Sequence, residues 1–203
     1  MLLAAFAGFA LAACENERNQ SQPGDRLEQH ACTQDDVGAG FNLQTSGDFS
    51  PANLADLGYN APARLTRFRA AGMTRGHFVY WKEIAGKPPF DPPLDIVCQV
   101  MEFQSDAQAR TFVENASLHD ITSNLIGWLP GSYEATPVEA PGASGSNRTF
   151  TLSGDGEAGP VTVAGVVMAD GRYVRIVSLG GPGTAPNSIR AEAVQQRIAA
   201  RAR

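Results

Sequence analysis

Leu94 to Phe103 sets the strongest constraint on how this chain can fold. Ile96, Cys98 and Val100 alternate with Val97, Met101 and Phe103, so both sides of an extended run are apolar. A strand with one wet face alternates apolar and polar residues. One that is apolar on both sides must lie centrally in its sheet, with a layer on each face.

The neighbouring segments supply partners and covers for that strand. Phe41-Asn42-Leu43-Gln44-Thr45 alternates as a half-buried strand, and so does His77 to Trp81. Ser50-Pro51 opens a short helix through Leu54 and Leu57 that Gly58 stops. Asn60 is placed to cap a second helix, with Leu65, Phe68 and Ala71 on its inner face, Gly72 as terminator, and Arg64, Arg67 and Arg69 mostly off that face. Ser105-x-x-Gln108 makes a capping box for a helix carrying Ala109, Phe112, Val113 and Ala116. Leu118, Ile121, Leu125 and Trp128 continue its pattern to Pro130-Gly131.

Residues 131–146 read as loop. Strands are expected at Arg148 to Leu152, Val161 to Met168 and Arg172 to Leu179, with Asp170-Gly171 as a two-residue hairpin signal between the last two. Asn187-Ser188 caps a terminal helix ending in Arg201 and Arg203. Four prolines between Lys87 and Pro93 make a rigid extended loop. Helices and strands mix without strict βαβ alternation. The expected fold is therefore α+β, a mostly antiparallel sheet of about five to six strands with helices packed on it.

Met1 to Ala13 is uncharged and apolar, and the chain turns polar at once after Cys14. Such a stretch reads as a secretory signal, and thirteen residues fall short of the roughly 20 that a membrane-spanning helix needs. No Lys or Arg precedes it, so the reading is of a chain that starts short of its natural beginning. Leu11-Ala12-Ala13-Cys14 resembles the lipobox of bacterial lipoproteins. The resemblance implies that Cys14 becomes the first mature residue, carries lipid, and holds the protein at the cell envelope. On that reading residues 1–13 are signal peptide, 14–35 a flexible tether rich in Glu, Asn, Gln and Ser, and 36–203 a single α+β domain. The tether lets the domain stand roughly 25 Å from the bilayer.

With Cys14 given to lipid, Cys32 and Cys98 remain, an even number in an exported protein. A disulfide between them would close a loop of about 66 residues. Free buried thiols or a redox pair are the alternatives, although the Cys-x-x-Cys spacing of a redox pair is absent.

The chemistry-bearing residues are scattered. His30, His77 and His119 stand apart, with no His-x-x-x-His spacing. Gly142-Ala143-Ser144-Gly145-Ser146 misses the nucleophile-elbow pattern at its last position, and Gly180-Gly181-Pro182-Gly183 lacks the Lys-Ser/Thr of a phosphate loop. Asp155 and Glu157 fall short of a calcium loop's ligand count. Asp95 and Glu102 fall on opposite faces of the central strand and cannot act as a carboxylate pair there. The candidate binding surface is aromatic: Tyr80 and Trp81 at a strand end, beside Phe90 in the proline-rich loop.

A net charge of −5 with 16 Lys and Arg argues against nucleic acid as a partner. No cofactor is called for. The sequence points to a membrane-anchored extracytoplasmic domain, noncatalytic, binding an envelope protein or a small ligand. An envelope hydrolase whose site assembles only in space, and a structural or assembly lipoprotein, are the competing readings.

Overall fold

The computed structural model describes residues 26–58, 60–84, 94–118, 120–122, 138–139, 147–156, 159–182 and 188–201. Strands β1 (Phe41–Phe49), β2 (Met73–Glu83) and β3 (Asp95–Phe103) run as one meander. Strands β4 (Val138–Glu139), β5 (Asn147–Gly156), β6 (Gly159–Asp170) and β7 (Tyr173–Pro182) run as a second. The two meet where β3 pairs with β7, giving the order β1-β2-β3-β7-β6-β5-β4 with every neighbouring pair antiparallel. This is the expected α+β architecture: six long strands and a two-residue strand at one edge.

Every residue of β3 is buried, as its doubly apolar pattern requires. Val97 and Met101 face one core with Phe49, Leu54, Phe68, Phe112 and Ile176. Ile96, Cys98 and Val100 face the other with Leu27, Trp81, Val177, Val194 and Ile198. Helices α2 (Pro51–Asp56), α3 (Ala61–Ala70) and α4 (Asp106–Asn115) cover the first face. On the second lie a 3-10 turn at Leu27–His30, helix α1 (Gln34–Val37) and the terminal helix α5 (Ser188–Arg201).

The predicted caps of α2 and α4 are present. Ser50 Oγ accepts from the Asn53 amide at 3.2 Å, and Ser105 Oγ from the Gln108 amide at 3.3 Å. Asn60 precedes α3 at φ 57° without a side-chain cap bond. Its short polar side chain is of the kind that tolerates the left-handed region.

Three expectations need correction. The stretch expected to be tether up to residue 35 is packed from Leu27 onward. Leu27, Ala31 and Cys32 are buried, and Asp36 accepts from the Thr33 amide at 2.8 Å while pairing with Arg201 at 2.8 Å. Arg201 also donates to the carbonyls of Gln29 and Ala31. On β7 the buried Arg175 pairs with Asp170 at 2.8 Å and meets His30 Nδ1 at 3.4 Å. Charged bonds thus hold a polar stretch that composition alone reads as loose.

Helix α4 does not run on toward Trp128. Ala116 is extended, and Arg148 of β5 donates to the carbonyls of Val113 and Ala116, satisfying the exposed end of the helix. Helical backbone resumes at Leu118 and at residues 120–122; residues 123–130 lie outside the described set. The β6–β7 loop is Gly171-Arg172, one residue later than expected, since Asp170 still pairs with Tyr173. Gly171, at φ 56°, occupies the first loop position, where a II′ turn demands glycine.

Cys32 and Cys98 form a disulfide with Cα atoms 5.9 Å apart, tying the N-terminal segment to the central strand across 66 residues. The chain-entropy model values such a loop at roughly 4 kcal/mol. Cys98→Ser is therefore expected to lower the unfolding free energy by about 2–4 kcal/mol, with reductant doing the same to the unaltered chain and nothing further to the variant. Thermal melts that coincide with and without reductant would remove the bridge from the account.

Candidate functional site

A groove of about 590 Å³ opens between α3 and the α4 segment that follows it in space. Its walls are Phe68 and Ala71 from one side and Phe112 and Ala116 from the other; Arg67 and Asp120 stand at one end. Phe68 and Phe112 have ring centroids 6.2 Å apart, and Phe103 packs behind Phe112 at 5.0 Å. Such a cavity is of the size and apolar character that takes one small ligand.

The charged end is built on a residue that was expected to lie off the inner face of α3. Arg64 is 1% exposed, beneath the helix. Its Nη1 donates to the Ala55 carbonyl at 3.3 Å and its Nη2 to the Asp120 carbonyl at 3.5 Å; Nε lies 3.6 Å from Asp120 Oδ1. The guanidinium also sits over the Phe68 ring at 5.4 Å. Gly58 is what lets it in. A Cβ there would fall 1.6 Å from Arg64 Nη1, so this glycine does more than stop a helix.

Arg67, one turn on and half exposed, grips the same carboxylate in a fork, Nε to Oδ2 at 2.9 Å and Nη2 to Oδ1 at 2.6 Å. Burial works against charge on Asp120, but the bond from Arg67, the Ser117 hydroxyl and the two guanidinium charges outweigh it and lower its pKa. Burial lowers that of Arg64, against the pull of Asp120. Two cations thus share one carboxylate.

The aromatic surface predicted at β2 is not one surface. Strand alternation turns Trp81, 6% exposed, into the second core with Ile96 and Cys98. Tyr80 packs half-buried against the first core. Phe90 and Cys14 lie outside the described residues. His77 is buried with Nδ1 2.7 Å from the solvated Asp48, and His30 stacks on Tyr173 at 4.0 Å; His119 lies outside the described residues. Among the described residues no group of three or more His, Cys, Asp or Glu converges as a metal site.

A second feature escaped the sequence reading. Asp95, Gln99 and Ser178 are buried in the middle of the first face, where Val97 pairs with Ser178. Asp95 Oδ1, both polar side-chain atoms of Gln99 and Ser178 Oγ have no hydrogen-bond partner among the described residues. Gln99 was the available signal, a lone carboxamide within the apolar run. Glu102, by contrast, lies on the opposite face and is paired with Arg75 and Arg172.

Burial raises the pKa of Asp95, with the bond from Tyr80 and the charge of Lys82 opposing it. A carboxyl whose folded pKa is raised holds its proton longer in the native state, so stability falls as pH climbs from the ordinary value through the raised one. Asp95→Asn should raise the melting temperature at neutral pH and flatten its decline across that window. A variant less stable than the parent at neutral pH would contradict this.

The sequence matches no protein-family description and no curated protein. Among solved structures, the fold is similar to the extracellular domain of PknH from Mycobacterium tuberculosis, with a TM-score of 0.54 and 14% identity, covering 86% of this chain and 95% of that one. At that identity the likeness concerns the fold.

Proposed function

We propose that this chain is a lipid-anchored extracytoplasmic domain that binds an apolar ligand in the groove between α3 and α4, without catalysing a reaction on it. The groove carries the reading: about 590 Å³ between apolar walls, with a compensated charge cluster at one end. The lipobox-like Leu11-Ala12-Ala13-Cys14 supports the anchor, and the Cys32–Cys98 disulfide supports an oxidising compartment. Among the described residues no helix is long and apolar enough to cross a membrane, so the lipid on Cys14 is the attachment proposed. Similarity to the fold of an extracellular domain agrees with that placement. An envelope protein as ligand is the other form of the same reading, with its side chains in the groove.

Cys14→Ser should shift the chain from the membrane fraction to the soluble one while leaving its circular dichroism unchanged. Unaltered partitioning would sink the anchor. The soluble Cys14→Ser chain should enhance the fluorescence of the neutral dye N-phenyl-1-naphthylamine at about one site per chain. Ala107→Trp, an exposed change at the groove wall, should abolish that enhancement. Dye binding indifferent to Ala107→Trp would place the apolar site elsewhere.

A further inference from the structure

We infer that the groove selects a single-chain amphiphile with a carboxylate headgroup, seated on Arg67 with its alkyl chain lying along the wall that Phe68 and Phe112 form together. This rests on the apolar-ligand reading above and adds the charge of the ligand. Among the described residues Arg67 and Asp120 are the charged ones lining the groove, and Arg64 lies behind Asp120. Among the described residues two guanidiniums thus meet this one carboxylate.

Arg67 is the one of the two that lines the groove. A guanidinium has five N–H donors, and Arg67 spends two of them on Asp120. Its side chain is 53% exposed, which leaves the remaining donors available where a ligand would arrive. Arg64, being buried, cannot meet a ligand; it shares the Asp120 carboxylate from beneath, so Arg67 is not that carboxylate's sole counter-charge. The carbonyl end of α4, which would repel an anion, is covered by Arg148.

The rest of the groove suits a hydrocarbon chain. Ala71, Ala107 and Ala116 keep it open, and the two phenyl rings line it. A cationic amphiphile would meet the like charge of Arg67. A neutral one would leave the donors of Arg67 to water. A planar carboxylate matches the guanidinium fork, and the cavity volume suits one small ligand instead of a two-chain phospholipid.

The test displaces N-phenyl-1-naphthylamine from the soluble Cys14→Ser chain with dodecanoate, dodecanol or dodecyltrimethylammonium, each below its micelle concentration. Dodecanoate should bind about tenfold tighter than dodecanol, the size of one charge-assisted hydrogen bond. The cation should bind more weakly than the alcohol. Arg67→Gln should reduce the acid's advantage to less than twofold without changing dodecanol, and Arg67→Lys should retain part of it. Added salt should shrink the advantage in the unaltered groove, a check that needs no variant.

Equal affinity for acid and alcohol would overturn the headgroup assignment while leaving an apolar groove intact. So would a preference that ignores both Arg67→Gln and salt, or capture on phosphatidylglycerol vesicles without dodecanoate binding. Failure of dye and all three amphiphiles would overturn the apolar-ligand reading itself.

Discussion

The pairing of β3 with β7 is the interaction on which the rest depends. It joins two meanders into one sheet and fixes, by register, which side chain goes to which face. Cys98 lies opposite Val177 and Val97 opposite Ser178, so the disulfide partner and the unmatched polar row fall on opposite sides of adjacent positions. A slip of one residue would turn Cys98 away from Cys32 and bring Val97 and Met101 out of the first core. Register is therefore held by more than hydrogen bonds. Two apolar cores and a covalent bridge all demand the same alignment.

Periodicity made the sheet legible, because burial on both faces writes a doubly apolar run into the sequence. The caps of α2 and α4 were equally plain, since Ser50 and Ser105 satisfy donors only a few residues away. What escaped was long-range. Arg64 looks like a surface residue until Asp120, 56 residues later, arrives beside it and Gly58 leaves room. The stretch around Asp36 looks like a tether until Arg197 and Arg201, some 160 residues on, bind its carbonyls and carboxylate. Local composition carries no sign of a partner supplied by another part of the fold.

The same reasoning explains why aromatic residues misled. Tyr80 and Trp81 are adjacent in sequence, and a strand sends adjacent side chains to opposite faces. Their bulk serves two different cores. The groove instead takes its rings from two helices, Phe68 and Phe112, which no spacing rule connects. Only the β-sheet beneath, by positioning α3 and α4 side by side, makes them one wall.

Burying Arg64 would be costly without compensation, since desolvating a cation carries a penalty of several kcal/mol before any partner is counted. The fold offsets this with the Ala55 carbonyl, the carbonyl and carboxylate of Asp120, and the Phe68 ring one turn along the same helix. That investment stands at the groove, on the first face of the sheet. The N-terminal segment, from which any lipid tether would lead, is bonded to the second face through Cys98, Arg175 and Arg201. The proposed attachment and the groove thus fall on opposite sides of one sheet. A domain held through Leu27–His30 leaves α3 and α4 unencumbered by its own anchor point, and what reaches the groove can do so without displacing the segment that holds the fold together.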